Sequence, residues 1–289
     1  MVSATRYEQL GEHLRQRFGS TPRPRAVVIA GSGLGGFARW VQSLRAVSYD
    51  DLPGVGASTV AGHAGQLILG LSPATEPGRP DVPVLILAGR RHIYEGIPAE
   101  DSVLLLQATL LAFRPSAAII SNAAGGLNPL FDVGDLMLIS DHLNAMARNP
   151  LIGPNPDHLG PRFPDLSHVY DPNLRALARQ AAQEVGVVLR EGVYIGGLGP
   201  SYETRAEVAM LRHVFRGDTV GMSTVLEAIA CSHLGIPTLG ISFVSNTLTV
   251  PAVTTHEEVM ENSRKVEDRF ARLVGRILEK LPEPAAHGA

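Results

Sequence analysis

A chain of 289 residues with 45% hydrophobic and 18% charged residues carries enough apolar material to offset chain entropy, which excludes a mostly disordered protein. Its 25 Lys and Arg against 28 Asp and Glu leave a formal net charge of −3, and no basic run gathers into a nucleic-acid footprint. One cysteine, Cys231, excludes a disulfide framework within the chain and a cysteine-rich zinc site.

Residues 1–17 are polar and lack an apolar h-region, so they do not read as a secretory signal. Apolar stretches elsewhere are shorter than the about 20 residues of a membrane span. A cytoplasmic protein is expected. The spacing of Leu10, Leu14 and Phe18 predicts a helix over 4–18, ended by Pro22 and Pro24. A buried strand over 26–30 runs directly into Gly31-Ser32-Gly33-Leu34-Gly35-Gly36. Strands follow at 66–71 and 84–88, separated by a proline-rich loop over 72–83. A helix is predicted over 99–113, a strand over 117–121, a turn at Ala124-Gly125-Gly126 and a strand over 136–140. The stretch 148–172 holds six prolines and is long for a structureless loop, a class of segment that is often functional. A helix over 172–185 starts on Pro172. Strands at 192–195, 219–220 and 238–244 precede a closing helix over 256–281 and a frayed tail over 282–289. Cys231, in Ala228-Ile229-Ala230-Cys231, reads as an inert core thiol. The alternation of strands and helices argues for one α/β domain over 1–289 with a largely central sheet. Ligands on such folds sit beyond the carboxyl ends of strands.

The loops after those strands carry the chemistry-bearing residues. Gly31, Gly33 and Gly36 satisfy G-x-G-x-x-G, with Asp50 and Asp51 about 20 residues on as a dinucleotide site requires. The same loop also fits a phosphate or phosphate-ester site with Ser32 as an added donor, or a tight turn without a ligand. In Gly89-Arg90-Arg91-His92-Ile93-Tyr94-Glu95-Gly96, an extended backbone turns Arg90, His92 and Tyr94 to one side and Arg91 to the other. Arginine at such a strand end suits an anion, and a solvated basic turn is the bland alternative. Ser121-Asn122-Ala123-Ala124-Gly125-Gly126 is small enough for close backbone approach. In Gly199-Pro200-Ser201-Tyr202-Glu203-Thr204, Tyr202 can stack on a flat ring and Glu203 can accept from ring N–H groups, or Ser201 or Glu203 can cap a helix. Val220-Gly221-Met222-Ser223-Thr224 and Phe243-Val244-Ser245-Asn246-Thr247 close strands with hydroxyl and amide groups, which also fits ordinary turn chemistry. The 10 histidines show no convincing metal-site spacing.

In this order, and with Gly62-His63-Ala64-Gly65, Asn122-Ala123-Ala124-Gly125-Gly126-Leu127-Asn128 and His256-Glu257-Glu258, these segments resemble the trimeric family of purine nucleoside phosphorylases over residues 31–256. The resemblance implies a mixed, partly barrel-like sheet flanked by helices. It implies reversible phosphorolysis of inosine, guanosine and their 2′-deoxy forms to a 6-oxopurine and (deoxy)ribose 1-phosphate, in purine salvage. Phosphate is then a co-substrate, with no cofactor and no metal. Ser32, His63, Arg90, His92, Ala123 and Ser223 would hold phosphate. Tyr94, Met222 and His256 would face the ribose, joined by Phe163 from a neighbouring subunit, so a homotrimer with shared sites is implied. Tyr202, Glu203, Val220, Gly221 and Asn246 would hold the base. The reaction would rest on Asn246, Glu203, His92 and His256, with nucleic acid and membrane absent as partners.

An ionised Glu203 pairs with the N1–H of a 6-oxopurine and repels the N1 lone pair of a 6-aminopurine, so adenosine is expected to be a poor substrate. The sequence departs from the family at Tyr202, where phenylalanine is commoner, at Ser245, where threonine is usual, and at Thr255, where some members carry asparagine. A methylthioadenosine-type variant, a nicotinamide-dependent oxidoreductase using residues 31–36 and a sensor that binds without turnover are the competing readings.

Overall fold

The computed structural model describes residues 5–19, 22–31, 34–56, 59–60, 64–249 and 255–284. Helix α1 (Arg6–Phe18) begins where Thr5 and Glu8 satisfy each other. The Glu8 N–H donates to Thr5 Oγ1 at 3.3 Å and the Thr5 N–H to Glu8 Oε2 at 2.7 Å. Leu10, Leu14 and Phe18 form its buried stripe. Strand β1 (Ala26–Ala30) is buried along its whole length. Short α2 (Gly36–Trp40) and the edge strand β2 (Gln42–Ser48), neither of them predicted, precede β3 (Gln66–Ser72) and β4 (Val82–Ala88). The single helix expected over 99–113 divides at Val103 into α3 (Ala99–Ser102) and α4 (Leu104–Phe113).

Strand β5 (Ala117–Gly126) extends through the predicted turn at 124–126, and β6 (Leu136–Asn144) follows. Helix α5 (Pro172–Val185) is capped by Asp171, whose Oδ1 accepts from the N–H of Asn173 and of Leu174. Then come β7 (Leu189–Gly196), α6 (Arg205–His213), β8 (Thr219–Gly221), α7 (Val225–His233) and β9 (Thr238–Thr247), so Ser245 and Asn246 belong to a strand and not to the loop after it. The closing helix is two pieces, α8 (His256–Arg264) and α9 (Glu267–Lys280). The tail is tied further than expected: Ser116 Oγ donates to the Pro282 carbonyl at 2.9 Å and Glu283 pairs with Arg25. Residues 285–289 lie outside the described residues.

The nine strands form one mixed sheet in the order β2-β3-β4-β1-β5-β8-β7-β6-β9, and β9 also pairs with β5. That last pairing closes β5, β8, β7, β6 and β9 into a ring, from which β1, β4, β3 and β2 extend as an open arm. Gly125 and Gly126 pair with Val220 and Thr219 of β8 and with Asn246 and Thr247 of β9. A Cβ on Gly125 would sit 2.9 Å from Leu248, and on Gly126 3.0 Å from Val244. Small residues at 124–126 are therefore what lets three strands converge, and the glycine signal denotes closure, not a turn.

Both faces of β1, β3 and β4 are covered, so these strands read as nearly unbroken apolar runs, whereas the edge strand β2 is mostly exposed. Val27 and Ile29 pack toward α1 and α4, while Ala26, Val28 and Ala30 pack toward α2 and α9. Cys231 is fully buried and burial pushes its thiol up to about 12, which bears out the core reading. Among the described residues no helix is long and apolar enough to cross a membrane.

The loop between β3 and β4 is fastened to α9 and α5. Arg276 reaches Glu76, Glu184 and Glu279, each at 2.5 Å, and Glu279 also accepts the Thr75 N–H. The Glu279 side chain is only 2% exposed, so losing Arg276 strands a buried carboxylate. Arg276→Met is expected to cost about 3 kcal/mol of stability, read as a lowered urea midpoint. A loss within about 0.5 kcal/mol would mean that these pairs act as ordinary surface ion pairs.

Candidate active site

A cavity of about 330 Å³ opens where β4, β5, β8 and β9 end. Of the predicted site residues, Arg90, His92, Tyr94, Ala123, Tyr202, Glu203, Val220, Gly221, Met222, Ser223 and Asn246 line it together. Ser32 and His63 lie outside the described residues, and of His256 only its place as first residue of α8 is described. Phe163 is elsewhere, 87% exposed on the proline-rich segment with the Arg162 guanidinium 5.8 Å from its ring centre. Thr59, Val60, Asn122, Ala124, Gly125, Ser245, Leu248 and Val259 also line the cavity. Asn122, Ala124, Gly125 and Ser245 belong to segments that the sequence singles out without a role for these positions, and nothing in the sequence marks Thr59, Val60, Leu248 or Val259.

Arg90, His92 and Tyr94 share the cavity and Arg91 turns away to the Val55 carbonyl, but Tyr94 reaches it from a 3₁₀ turn over Ile93–Glu95 and not from the extended backbone that the alternation assumed. Arg90 is anchored from behind. Its Nη1 donates to Glu227 Oε2 at 2.9 Å and to Thr224 Oγ1 at 3.4 Å, and Nη2 donates to the Ser121 carbonyl. Both members of the Arg90–Glu227 pair are buried, so the guanidinium fork is held in one orientation. Asn122 Nδ2 donates to the same Thr224 hydroxyl at 2.8 Å.

Thr224 has φ +71°, a conformation that a β-branched residue avoids. The Val225 N–H donates to the Ser223 carbonyl at 2.8 Å, closing a γ-turn of the rare positive-φ kind. This strained corner brings the Thr224 and Ser223 hydroxyls within 3.3 Å of each other. Ser223 is held from a further side, because its N–H donates to the buried Tyr194 hydroxyl at 3.2 Å. That hydroxyl would lie 2.6 Å from any Cβ on Gly221, which explains the glycine.

His92 is fastened to the short 3₁₀ turn that follows it. Its N–H donates to Glu95 Oε1 at 2.6 Å, its ring Nδ1 lies 3.3 Å from the same oxygen, and its ring stacks on Tyr94 with centres 4.7 Å apart. Burial pushes the His92 pKa down, against the pull of Glu95. Burial opposes ionisation of Glu95, but donors from His92 and Thr59 outweigh it and bring its pKa down to about 2.

Asn246, on β9, is buried, with its Oδ1 accepting from Ser245 Oγ at 2.9 Å. Asn262 of α8 donates to the Ser245 carbonyl at 3.0 Å and ties the strand end to the helix. The cap of α6 is Thr204, in a capping box with Glu207, and not Ser201 or Glu203. That leaves Glu203 to line the cavity, where burial raises its pKa and Glu207 adds to the rise. Tyr202 beside it is 44% exposed. Among the described residues, no group of three His, Cys, Asp or Glu side chains converges to hold a metal ion.

Residues 25–279 match the family described as the phosphorylase superfamily. Purine nucleoside phosphorylase 1 of Geobacillus stearothermophilus is 43% identical, over 97% of this chain and 99% of that protein. Purine nucleoside phosphorylase of Rattus norvegicus is 37% identical, over 96% and 95%. The crystal structure of Schistosoma mansoni purine nucleoside phosphorylase in complex with inosine superposes with a TM-score of 0.85 at 31% identity, covering 96% of this chain and 97% of that one. A second structure of that enzyme, in complex with adenosine, gives 0.84. With likeness at this level across nearly the whole chain, in sequence and in fold, the protein belongs to the phosphorylase superfamily.

Proposed function

We propose that the protein is a purine nucleoside phosphorylase that cleaves inosine and guanosine with inorganic phosphate. One observation carries the reading: a single cavity gathers Arg90, His92 and Ser223, which suit an oxyanion, with Tyr202, Glu203 and Asn246, which suit a purine. Phosphate attacks C1′ of the ribose. The bond from C1′ to a phosphate oxygen forms, the bond from C1′ to N9 breaks, and the bonding electron pair leaves with the purine. Phosphate is already an anion and needs no general base. It needs placement against C1′, from the anchored Arg90 fork, the Ser223 hydroxyl and His92.

The departing purine gains negative charge. With its Oδ1 accepting from Ser245, the Asn246 amide offers its donor side to N7. Ionised Glu203 accepts from N1–H. The Asn246 contact strengthens as charge develops on the purine, whereas Glu203 selects and orients the base through its N1–H. Tyr94 and Met222 then face the sugar, and Val220 and Gly221 form the wall against the base. The Schistosoma enzyme has been crystallised with adenosine as well as inosine, so selectivity has to be read from turnover and not from binding. The direct test is base release from inosine, guanosine and adenosine with and without phosphate. Phosphate-dependent release of hypoxanthine and guanine, with adenosine nearly untouched, is expected, and release without phosphate would mean a hydrolase.

Glu203→Gln should lower kcat/KM for inosine by roughly 10–10²-fold, the scale of one hydrogen bond to a charged group, and affect adenosine much less. Because burial raises the Glu203 pKa, its accepting form is lost at a higher pH than an ordinary carboxylate would lose it. The acid limb of kcat/KM for inosine is expected above pH 4.5, and the inosine-to-adenosine ratio should fall along the same limb. A ratio that is flat with pH would remove Glu203 from base selection.

The assembly we infer is a homotrimer in which Phe163 covers a neighbour's sugar site. A phenylalanine ring 87% exposed in one chain supports that reading. Sedimentation at three times the chain's 30.8 kDa is expected. Phe163→Ala should raise KM for inosine about tenfold, the scale of one buried aromatic side chain. A monomer with full activity would contradict both statements.

A further inference from the structure

Glu95 accepts from two segments of chain at once. Oε1 takes the His92 N–H at 2.6 Å and faces the His92 ring nitrogen at 3.3 Å. Oε2 takes the Thr59 N–H at 2.7 Å and the Thr59 hydroxyl at 2.8 Å. A carboxylate has about four lone-pair sites, and here each meets a donor. The Glu95 side chain is 4% exposed. Among the described residues no lysine or arginine forms an ion pair with it, so hydrogen bonds alone hold its charge in place. Half of those bonds come from Thr59, 36 positions away in sequence, on the exposed stretch that also lines the cavity through Thr59 and Val60.

We propose that Thr59 is a positioning residue for the phosphate site: it pins one oxygen of Glu95 so that the other stays on His92 and keeps that ring aligned. The inference rests on the reading of His92 as a phosphate contact. The terminal torsion of a glutamate is soft, so an oxygen that loses a charge-assisted donor turns to find another. Here the turn would draw Oε1 off the His92 N–H. Tyr94 stacks on one face of the imidazole and cannot restore its tilt. Thr59 is exposed, so its replacement should leave the core intact. The effect is then expected on phosphate and not on folding.

The test compares Thr59→Val, which keeps the shape and removes the hydroxyl, with Thr59→Ser, which keeps the hydroxyl. Two quantities are measured on the full chain: the Kd for inorganic phosphate by calorimetry, and the KM values for phosphate and inosine. Thr59→Val should raise both phosphate constants about five- to tenfold, less than the full cost of one hydrogen bond to a charged group because the backbone N–H of residue 59 stays on Oε2. The inosine KM should stay within about twofold, and Thr59→Ser should restore wild-type phosphate binding. A phosphate Kd unchanged in Thr59→Val overturns the proposal, as does a serine variant as weak as the valine one. If inosine is not cleaved but phosphate binding still depends on the Thr59 hydroxyl, the enzyme reading fails and the positioning role stands. If the wild-type chain binds no phosphate, both fail.

Discussion

The molecule is organised by a change of partner along strand β5. On one edge, β5 pairs with β9 from Ala118 to Gly126, with one shift of register where Ser245 is passed over between Val244 and Asn246. On the other edge it pairs with β1 only as far as Ile120, and β8 takes over only at Gly125. Between those points, residues 121–124 have no strand on that side among the described residues. A backbone edge left open in the middle of a sheet must be satisfied by something else. Part of the answer is the Ser121 carbonyl, which accepts from Arg90, while side chains bridge the same edge: the Ser121 hydroxyl lies between the Gly31 N–H and the Ile29 carbonyl, and Asn122 Nδ2 donates to Thr224. The cavity occupies the rest. The open arm and the closed ring thus meet at a fork, and the fork is the site, in keeping with ligand binding where strand order breaks in an α/β sheet.

The sequence displayed the parts of this arrangement that depend on composition. Apolar strands buried on both faces and the turning of Arg90 and His92 to one side with Arg91 to the other were legible, since each reflects a local periodic rule, whereas the glycines at 125, 126 and 221 answer to Leu248, Val244 and Tyr194, partners distant in sequence. Edge strand β2 was not legible, because an exposed strand has no apolar period to show. Helices α6 and α7 were missed for opposite reasons. The first is mostly exposed, and the second is so evenly buried that it lacks a polar face. The joins at Val103 and between α8 and α9 were invisible because the sequence pattern continues across them.

Within the site, most of the described residues read from sequence face the cavity, Phe163 being the exception. Those that hold them from behind were not assigned roles: Glu227, Thr224 and Tyr194 are ordinary core residues until the fold sets them against Arg90 and Ser223. Glu227 shows the reason. It lies 137 positions from Arg90, and only the packing of α7 beneath β5 brings the two together. Thr224 shows another. Its positive φ is a property of the turn between β8 and α7, and threonine is a residue that sequence reasoning would not choose for such a position.

Two kinds of support therefore meet in one cavity. Arg90, Asn122 and Ser223 are wired into the sheet by buried partners, whereas Tyr202 and Glu203 sit on the connection between β7 and α6, outside any strand, with Thr204 carrying the helix cap. A substitution in the first group disturbs the barrel itself, and one in the second disturbs a connection that is partly open to solvent. The fold is in this sense asymmetric to mutation. On the function proposed above, the choice of leaving group would drift through changes at 202 and 203 while the oxyanion contacts stayed fixed by the stability of the sheet. One scaffold of this kind can diversify its bases without having to reinvent the reaction that releases them.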